Sequence, residues 1–480
     1  MEKLFLNKKL EEFKATISNK KIAILGLGIS NLPLAAYLAG LGCDIAVFDE
    51  LTHDKLAPSI DTLKDFKIEY HLGTGYLNSL KGYDVIFKTP KIRHDIPQLL
   101  SEALRGAVIT SEMDVFLELC PSKVYGITGS DGKTTTTSII HAFLDKQGYK
   151  CWLGGNIGTP LLDKIDSIMP EDRVILELSS FQLQTMKNSP KVAVITNISP
   201  NHLDVHKSYE EYIEAKKSIF RFQSSSDMVV LNYDNKVLRG ISDQPPGKVL
   251  WFSRADLPDH CVCVQGEKIV FIDGENISEI LDTKDILLPG LHNLENYLAA
   301  ITAVIGEVEV KTIKHVANSF KGVEHRIELF AEYEGVRFYN DSIATSPTRT
   351  IAGLNSFKDK VILIVGGKDK HLDFTPLGAV ISNKVKSLVL VGETAEKIEN
   401  SYRQYLKTTA LDISDEIIPI NNCEDYSEAV RVAFKNSRPG DVIILSPAST
   451  SFDRFKNFEE RGNKFKEIVK SFIDTLNIAE

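Results

Sequence analysis

The chain has 480 residues, and at roughly 150 residues per domain that length points to about three domains rather than one core. Apolar residues make up 43% and charged residues 25%, the balance of an ordinary soluble globular protein, which excludes a disordered, collagenous or coiled-coil chain. The formal net charge of −9 argues against a nucleic-acid partner, which needs a basic surface. No apolar run approaches the roughly 18 to 20 residues of a membrane span. Residues 1–21 are charged throughout and lack the apolar centre of a secretion signal. The expectation is a cytoplasmic protein with no membrane contact.

Three stretches alternate short β-rich runs with helical ones, the pattern of parallel α/β units. The first opens with a strand in KIAILGLG (21–28), continues through a helix from Ser30 to Leu41 and a strand DIAVFDE (44–50), and includes DVIFKT (84–89). The second begins with KVYGITGSDGKTTTTSIIHAF (123–143) and runs through RVILEL (173–178), VAVITNI (192–198), a helix around 209–222, and strands near 228–231, 247–252 and 268–272. The third carries KVILIVGG (360–367), SLVLVG (387–392) and DVIILS (441–446), and ends in a charge-rich helix. Boundaries near 111 and 322 give domains 1–111, 112–322 and 323–480. The six cysteines are too few for a disulfide framework and include no C-x-x-C. Cys261 and Cys263, in the strand-like CVCV, read as two half-buried small apolar residues rather than a metal pair.

Gly26-Leu27-Gly28-Ile29-Ser30-Asn31 lies between a strand and a helix, and Asp49 ends the next strand. This is most of a dinucleotide fingerprint, with Asn31 in place of the third glycine. The residues leave three readings open: NAD, another nucleotide-like ligand, or a structural turn. Thr128-Gly129-Ser130-Asp131-Gly132-Lys133-Thr134-Thr135 is a variant P-loop, lacking the first glycine of the strict pattern. Its backbone N–H groups can hold phosphate oxygens, Lys133 can sit over the β- and γ-phosphates, and Thr134 can ligate Mg²⁺. Glu177 stands at the tip of a parallel strand, where open α/β sheets bind ligands, and its hard oxygens suit Mg²⁺.

The segments TGSDGKTTT, ELSSFQLQ, NHLD with YIEAKKSIF, LPGLHNLEN, EHRIEL, NDSIATS, GGKDK and LSPASTSFDRFKNFEERG occur in one order along the chain. Together they resemble the Mur ligases, over roughly residues 20 to 470, and the ELSSFQ segment and the tail resemble the D-glutamate-adding branch. The resemblance implies three α/β domains: a Rossmann-like N-terminal domain for a uridine nucleotide, a central P-loop-type domain for ATP, and a Rossmann-like C-terminal domain for the amino acid. It implies an ATP-dependent acid–amino-acid ligase of peptidoglycan precursor synthesis that joins D-glutamate to UDP-N-acetylmuramoyl-L-alanine through an acyl phosphate, as a cytoplasmic monomer.

By the same resemblance, Ile29, Ser30, Asp49 and Thr89 would contact the uridine nucleotide, and Asn156, Ser179 and Gln182 the N-acetylmuramoyl part. Gly129, Ser130, Asp131, Gly132, Lys133, Thr134 and Thr135 would hold ATP phosphates. Thr134 and Glu177 would hold a first Mg²⁺, and His202 and a carbamylated Lys216 a second. Asn293 and Asn296 would lie on the adenine side, with Arg326 and Asp341 reaching ATP from the third domain. Thr345, Lys370, Ser451 and Phe458 match the D-glutamate pocket. The sequence departs from the family pattern at Lys91 for a glycine, Asn201 for an aspartate, Ile343 for a lysine, Ser346 for an asparagine, and Ser449 and Thr450 in LSPASTS. Competing readings are another Mur-type or folylpolyglutamate-type ligase and, from a different class, a NAD-dependent dehydrogenase.

Overall fold

The computed structural model describes residues 5–200, 206–369, 372–408, 418–451 and 455–479. Its strands fall into three sheets, of five, nine and six. The first holds β1 (Lys21–Leu25), β2 (Asp44–Asp49), β3 (Ile68–Leu72), β4 (Val85–Lys88) and β5 (Val108–Thr110), in the order β3-β2-β1-β4-β5, all parallel. KIAIL and DIAVFD are nearly continuous apolar runs because both faces are covered. Ile22, Ile24, Val47 and Phe87 pack on one side, and Ala23, Leu25, Phe48 and Ile86 on the other. The chain reverses its direction of travel across the sheet between β1 and β4, which opens a crevice at their carboxyl ends.

The second sheet contains β6 (Lys123–Thr128), β7 (Cys151–Gly155), β8 (Arg173–Glu177), β9 (Val192–Ile195), β10 (Met228–Asn232), β11 (Lys248–Ser253), β12 (Cys261–Gln265), β13 (Lys268–Asp273) and β14 (Asn276–Asp282). Its order is β14-β13-β12-β11-β10-β9-β6-β8-β7. β6 to β12 are parallel and β12 to β14 form an antiparallel meander. Cys261 and Cys263 correct the sequence expectation: both are fully buried, not half-buried. β13 extends the sheet beside them, and Val270, Ile272 and Trp251 close over the same face.

The third sheet holds β15 (Glu328–Tyr333), β16 (Val336–Asn340), β17 (Val361–Val365), β18 (Val385–Val391), β19 (Ile420–Cys423) and β20 (Val442–Leu445), ordered β15-β16-β20-β17-β18-β19. It is parallel except for the β15–β16 hairpin. Two compact units result: residues 1–285 with 294–318, and residues 286–293 with 319–480. Among the described residues, no helix is long and apolar enough to cross a membrane.

Candidate active site

The P-loop turns from β6 into the helix Lys133–Gln147. Gly132 takes a left-handed φ of +79°, and the Asn296 carboxamide lies where a side chain at 132 would project. The end of the neighbouring strand β9 shapes the loop. Thr196 Oγ1 donates to the Asp131 carbonyl at 2.6 Å, Asn197 Oδ1 accepts from the Asp131 N–H at 2.9 Å, and the Asn197 carbonyl accepts from the Ser130 N–H at 2.9 Å. Lys133 Nζ donates to the carbonyls of Gly129 at 2.9 Å and Ser130 at 3.0 Å. Thr134 and Thr135 are buried in the first helical turn, and Asn296 Oδ1 accepts from Thr136 Oγ1 at 3.2 Å.

Glu177 ends β8, which pairs with β6 and places Glu177 opposite Ile127. Its side chain is 1% exposed. Asn156 Nδ2 donates to Glu177 Oε1 at 2.7 Å, while Glu177 Oε2 is buried and accepts no hydrogen bond among the described residues. Asn156, expected beside the substrate, is therefore also the group that orients Glu177. Ser179 and Gln182 form a reciprocal capping box at the start of the short helix Ser180–Leu183.

Lys216 lies on the helix Tyr209–Arg221 and is 1% exposed, beneath the P-loop. Its Nζ donates to the Gly129 carbonyl at 2.8 Å and to Thr128 Oγ1 at 3.2 Å, and sits 4.7 Å from the centre of the Tyr212 ring. Burial first, and the Lys133 ammonium second, hold its pKa well below the ordinary lysine value. Lys217 Nζ turns instead to Glu214, at 2.5 Å. His202 lies outside the described residues.

At the N-terminal sheet, Gly26 has φ +84° and Thr89 closes against it. Asp49 Oδ2 accepts from the Leu27 N–H at 2.7 Å and Oδ1 from the Leu51 N–H at 2.9 Å, so this carboxylate holds the glycine loop itself. Ile29 is 84% exposed, beside Ser30. Asn31 Nδ2 donates to the carbonyls of Leu25 at 3.1 Å and Gly26 at 2.9 Å, filling the space that the third glycine of a dinucleotide fingerprint leaves open.

Asn293 belongs to the second compact unit and Asn296 to the first. In the second unit Asp341 is buried at the end of β16. It accepts from Ser446 Oγ at 2.7 Å, and burial pushes its pKa up to about 7 against the opposing pull of hydrogen bonding and Arg326. Thr345 follows in the same loop, Ser451 is buried, and the Phe458 ring packs edge-on to His325 with centroids 6.0 Å apart. Lys370 lies outside the described residues.

Three family models match the chain: the Mur ligase MurD-like N-terminal domain over residues 20–111, the Mur ligase middle domain over 127–304, and the Mur ligase glutamate ligase domain over 325–449. The UDP-N-acetylmuramoylalanine–D-glutamate ligase of Acetivibrio thermocellus is 56% identical across 97% of this chain and 99% of its own length. That of Ruminiclostridium cellulolyticum is 52% identical across 97% and 100%. The chain belongs to the Mur ligase family. Solved structures share the fold of this Mur ligase at low identity. The UDP-N-acetylmuramate–alanine ligase of Thermotoga maritima superposes with a TM-score of 0.56 at 18% identity, covering 94% of this chain and 100% of that one. The MurF ligase of the same organism, solved in complex with ADP, gives 0.51 at 20% identity, over 82% and 97%.

The residues of this Mur ligase fit a hard cation beside the P-loop. Among the described residues Glu177 Oε2 has no donor and is left as an anionic ligand, and Thr134 adds a hydroxyl. Several residues that organise the site had no role assigned from the sequence. Thr196 and Asn197 shape the P-loop, and His206 stacks on Phe181 at 5.2 Å with its Nε2 3.0 Å from Ser180 Oγ. Arg461 is 1% exposed and donates to Ser342 Oγ at 2.9 Å, the Ser342 carbonyl at 2.8 Å and the Ser449 carbonyl at 3.0 Å. It ties the loop of Asp341 to that of Ser451. Its place inside the tail motif was the available signal. At the family departures, Ile343 is half-buried and donates its N–H to the His325 carbonyl, while the Ser449 hydroxyl bonds that of Thr394 at 2.8 Å.

Proposed function

We propose that this Mur ligase joins D-glutamate to UDP-N-acetylmuramoyl-L-alanine at the expense of ATP, in peptidoglycan precursor synthesis. The names of the curated relatives support that substrate pair. The observation that carries the chemistry is the convergence on one loop of Lys133, Glu177 with its uncommitted oxygen, and Lys216 with a depressed pKa. The domain reading is 1–111 for the uridine nucleotide, 112–322 for ATP and 323–480 for the amino acid, supported by family matches that stop at 111, 304 and 449. The reading is of a cytoplasmic monomer, and among the described residues no helix is long and apolar enough to cross a membrane.

A carboxylate oxygen is a poor leaving group, and phosphorylation repairs this. The substrate carboxylate attacks the γ-phosphorus, the bond to ADP breaks, and an acyl phosphate forms. The D-glutamate amine then adds to its carbonyl carbon, loses a proton, and expels inorganic phosphate as the amide forms. Transfer of this kind needs positioning and charge neutralisation more than covalent help. Lys133 supplies one cation by leaving its loop carbonyls for the phosphates. Thr134 and Glu177 would hold a first Mg²⁺ and His202 and Lys216 a second, and these ions would supply further neutralisation of the phosphate charge. Asn156 keeps Glu177 aimed.

Lys216 would serve as a carbamate. Carbamylation requires the neutral amine, which burial and Lys133 favour, and it replaces an ammonium by an oxygen ligand. Asp341, Arg326, Asn293 and Asn296 would hold the nucleotide, and Thr345, Lys370, Ser451 and Phe458 the amino acid. The deciding assay is phosphate release from ATP with UDP-N-acetylmuramoyl-L-alanine. Sustained release that requires D-glutamate is expected, with Lys133→Ala inactive but folded. Equal turnover with L-alanine, or with a diamino acid in place of D-glutamate, would refute the specificity.

A further inference from the structure

Lys88 belongs to none of the motifs above. It is the last residue of β4 and lies in register with Leu25, the last residue of β1. Those two strand ends flank the crevice where the N-terminal sheet reverses its order, the place at which open α/β sheets hold ligands. The following residue, Thr89, donates its N–H to the Leu25 carbonyl at 3.0 Å and closes against Gly26, so Lys88 is one residue from the glycine loop.

Its environment is unfavourable for a cation. Lys88 is 3% exposed, and its ammonium reaches the neighbouring Thr89 carbonyl at 3.5 Å, the limit of a hydrogen bond. Among the described residues it forms no ion pair. Asp49 and Arg93 are committed elsewhere: both oxygens of Asp49 accept backbone N–H groups, and Arg93 pairs with Asp95 and Glu211. Burial alone lowers its pKa to about 8. An unpaired buried charge costs stability, and a methionine would fill the same space without that cost. Such a local conflict is expected where a ligand supplies the missing partner.

We propose that Lys88 is the cation that pairs with the diphosphate of the uridine nucleotide bound at this crevice. The assignment rests on the reading of residues 1–111 as the uridine-nucleotide domain. A diphosphate is the fitting partner because it is anionic and accepts a charge-assisted hydrogen bond, whereas uracil and ribose are neutral. With Lys91 exposed on the far side of Pro90 and Arg93 held by two carboxylates, Lys88 is the cation already desolvated at this strand end.

Calorimetric titration of UDP and of uridine into full-length wild type and Lys88→Met tests the assignment. The expected result is a loss of about tenfold or more in UDP affinity with uridine changed by less than about twofold. The unliganded Met variant should melt no lower than wild type, because it buries a neutral chain in place of an unpaired charge. UDP affinity equal to wild type, or an equal loss for UDP and uridine, would overturn the proposal. So would a Met variant that melts well below wild type and a Lys88→Gln variant that binds UDP normally. A wild-type protein that binds neither UDP nor UDP-N-acetylglucosamine would remove the domain reading and the assignment with it. Binding by wild type and equally by Lys88→Met would remove the assignment alone.

Discussion

Adjacent lysines on one helix have opposite fates here. Residues 216 and 217 point about 100° apart around the helix. That rotation carries Lys216 under the P-loop, where it shares the Gly129 carbonyl with Lys133, and leaves Lys217 beside Glu214. Two ammonium groups on one carbonyl would repel, so the proposed carbamylation of Lys216 would relieve the loop. Lys216→Ala is expected to lose about 10²-fold in turnover, with partial recovery when a short carboxylic acid such as formate is added to fill the vacated position. Lys217→Ala removes a side chain whose recorded partner is an acid on its own helix and should change turnover by no more than about twofold. Steady-state rates of the two variants with and without formate check this. Inactivity of the Lys217 variant, or normal activity of both, would refute the carbamate.

At the scale of elements, the P-loop is a product of two strands rather than one. β6 leads into it, but the end of β9 shapes it through Thr196 and Asn197. Thr196→Val keeps the shape of the side chain and removes the bond to the Asp131 carbonyl. A net hydrogen bond is worth about 1 kcal/mol, so KM for ATP should rise about fivefold while UDP affinity stays unchanged. Kinetics against ATP and a UDP titration separate the two. An unchanged KM would mean that the loop keeps its shape without β9. This also marks where the sequence stopped being informative. The buried parallel strands were legible because RVILEL and KVILIV are unbroken apolar runs between turn signals. The meander at β13 and β14 was only partly legible, although Gly266 and Gly274 stand at its turns with φ of +64° and +61°. The partnerships of Thr196 with Asp131 and of Arg461 with Ser342 join positions 65 and 119 residues apart in the chain. Nothing local in the sequence announces them, whereas Lys133, Glu177 and Lys216 stood in recognisable segments.

At the scale of the whole molecule, a buried acid in each compact unit sets an opposite-to-usual pH response. Glu112, on the helix Glu112–Leu119, follows the first sheet and accepts from the Leu162 N–H at 3.0 Å, fastening that helix to the turn Leu162–Ser167. Burial raises its pKa from 4.5 to about 7, as burial raises that of Asp341 in the second unit. Between those two values the folded state binds more protons than the unfolded state, so stability contributed by Glu112 is present below about pH 4.5 and falls as pH rises to about 7. The shift corresponds to roughly 3 kcal/mol. His141 opposes it in part, since burial lowers its pKa and favours the folded state as pH rises. Comparing wild type with Glu112→Gln cancels that contribution and keeps an acceptor at the same place. Both tryptophans, Trp152 and Trp251, lie in the first unit, so tryptophan fluorescence reports its unfolding. Urea titrations should show Glu112→Gln gaining on wild type by roughly 3 kcal/mol between about pH 4.5 and 7.5, while Asp341→Asn leaves the tryptophan-detected transition unmoved. Parallel curves for wild type and Glu112→Gln would mean that Glu112 titrates alike in the folded and unfolded chain.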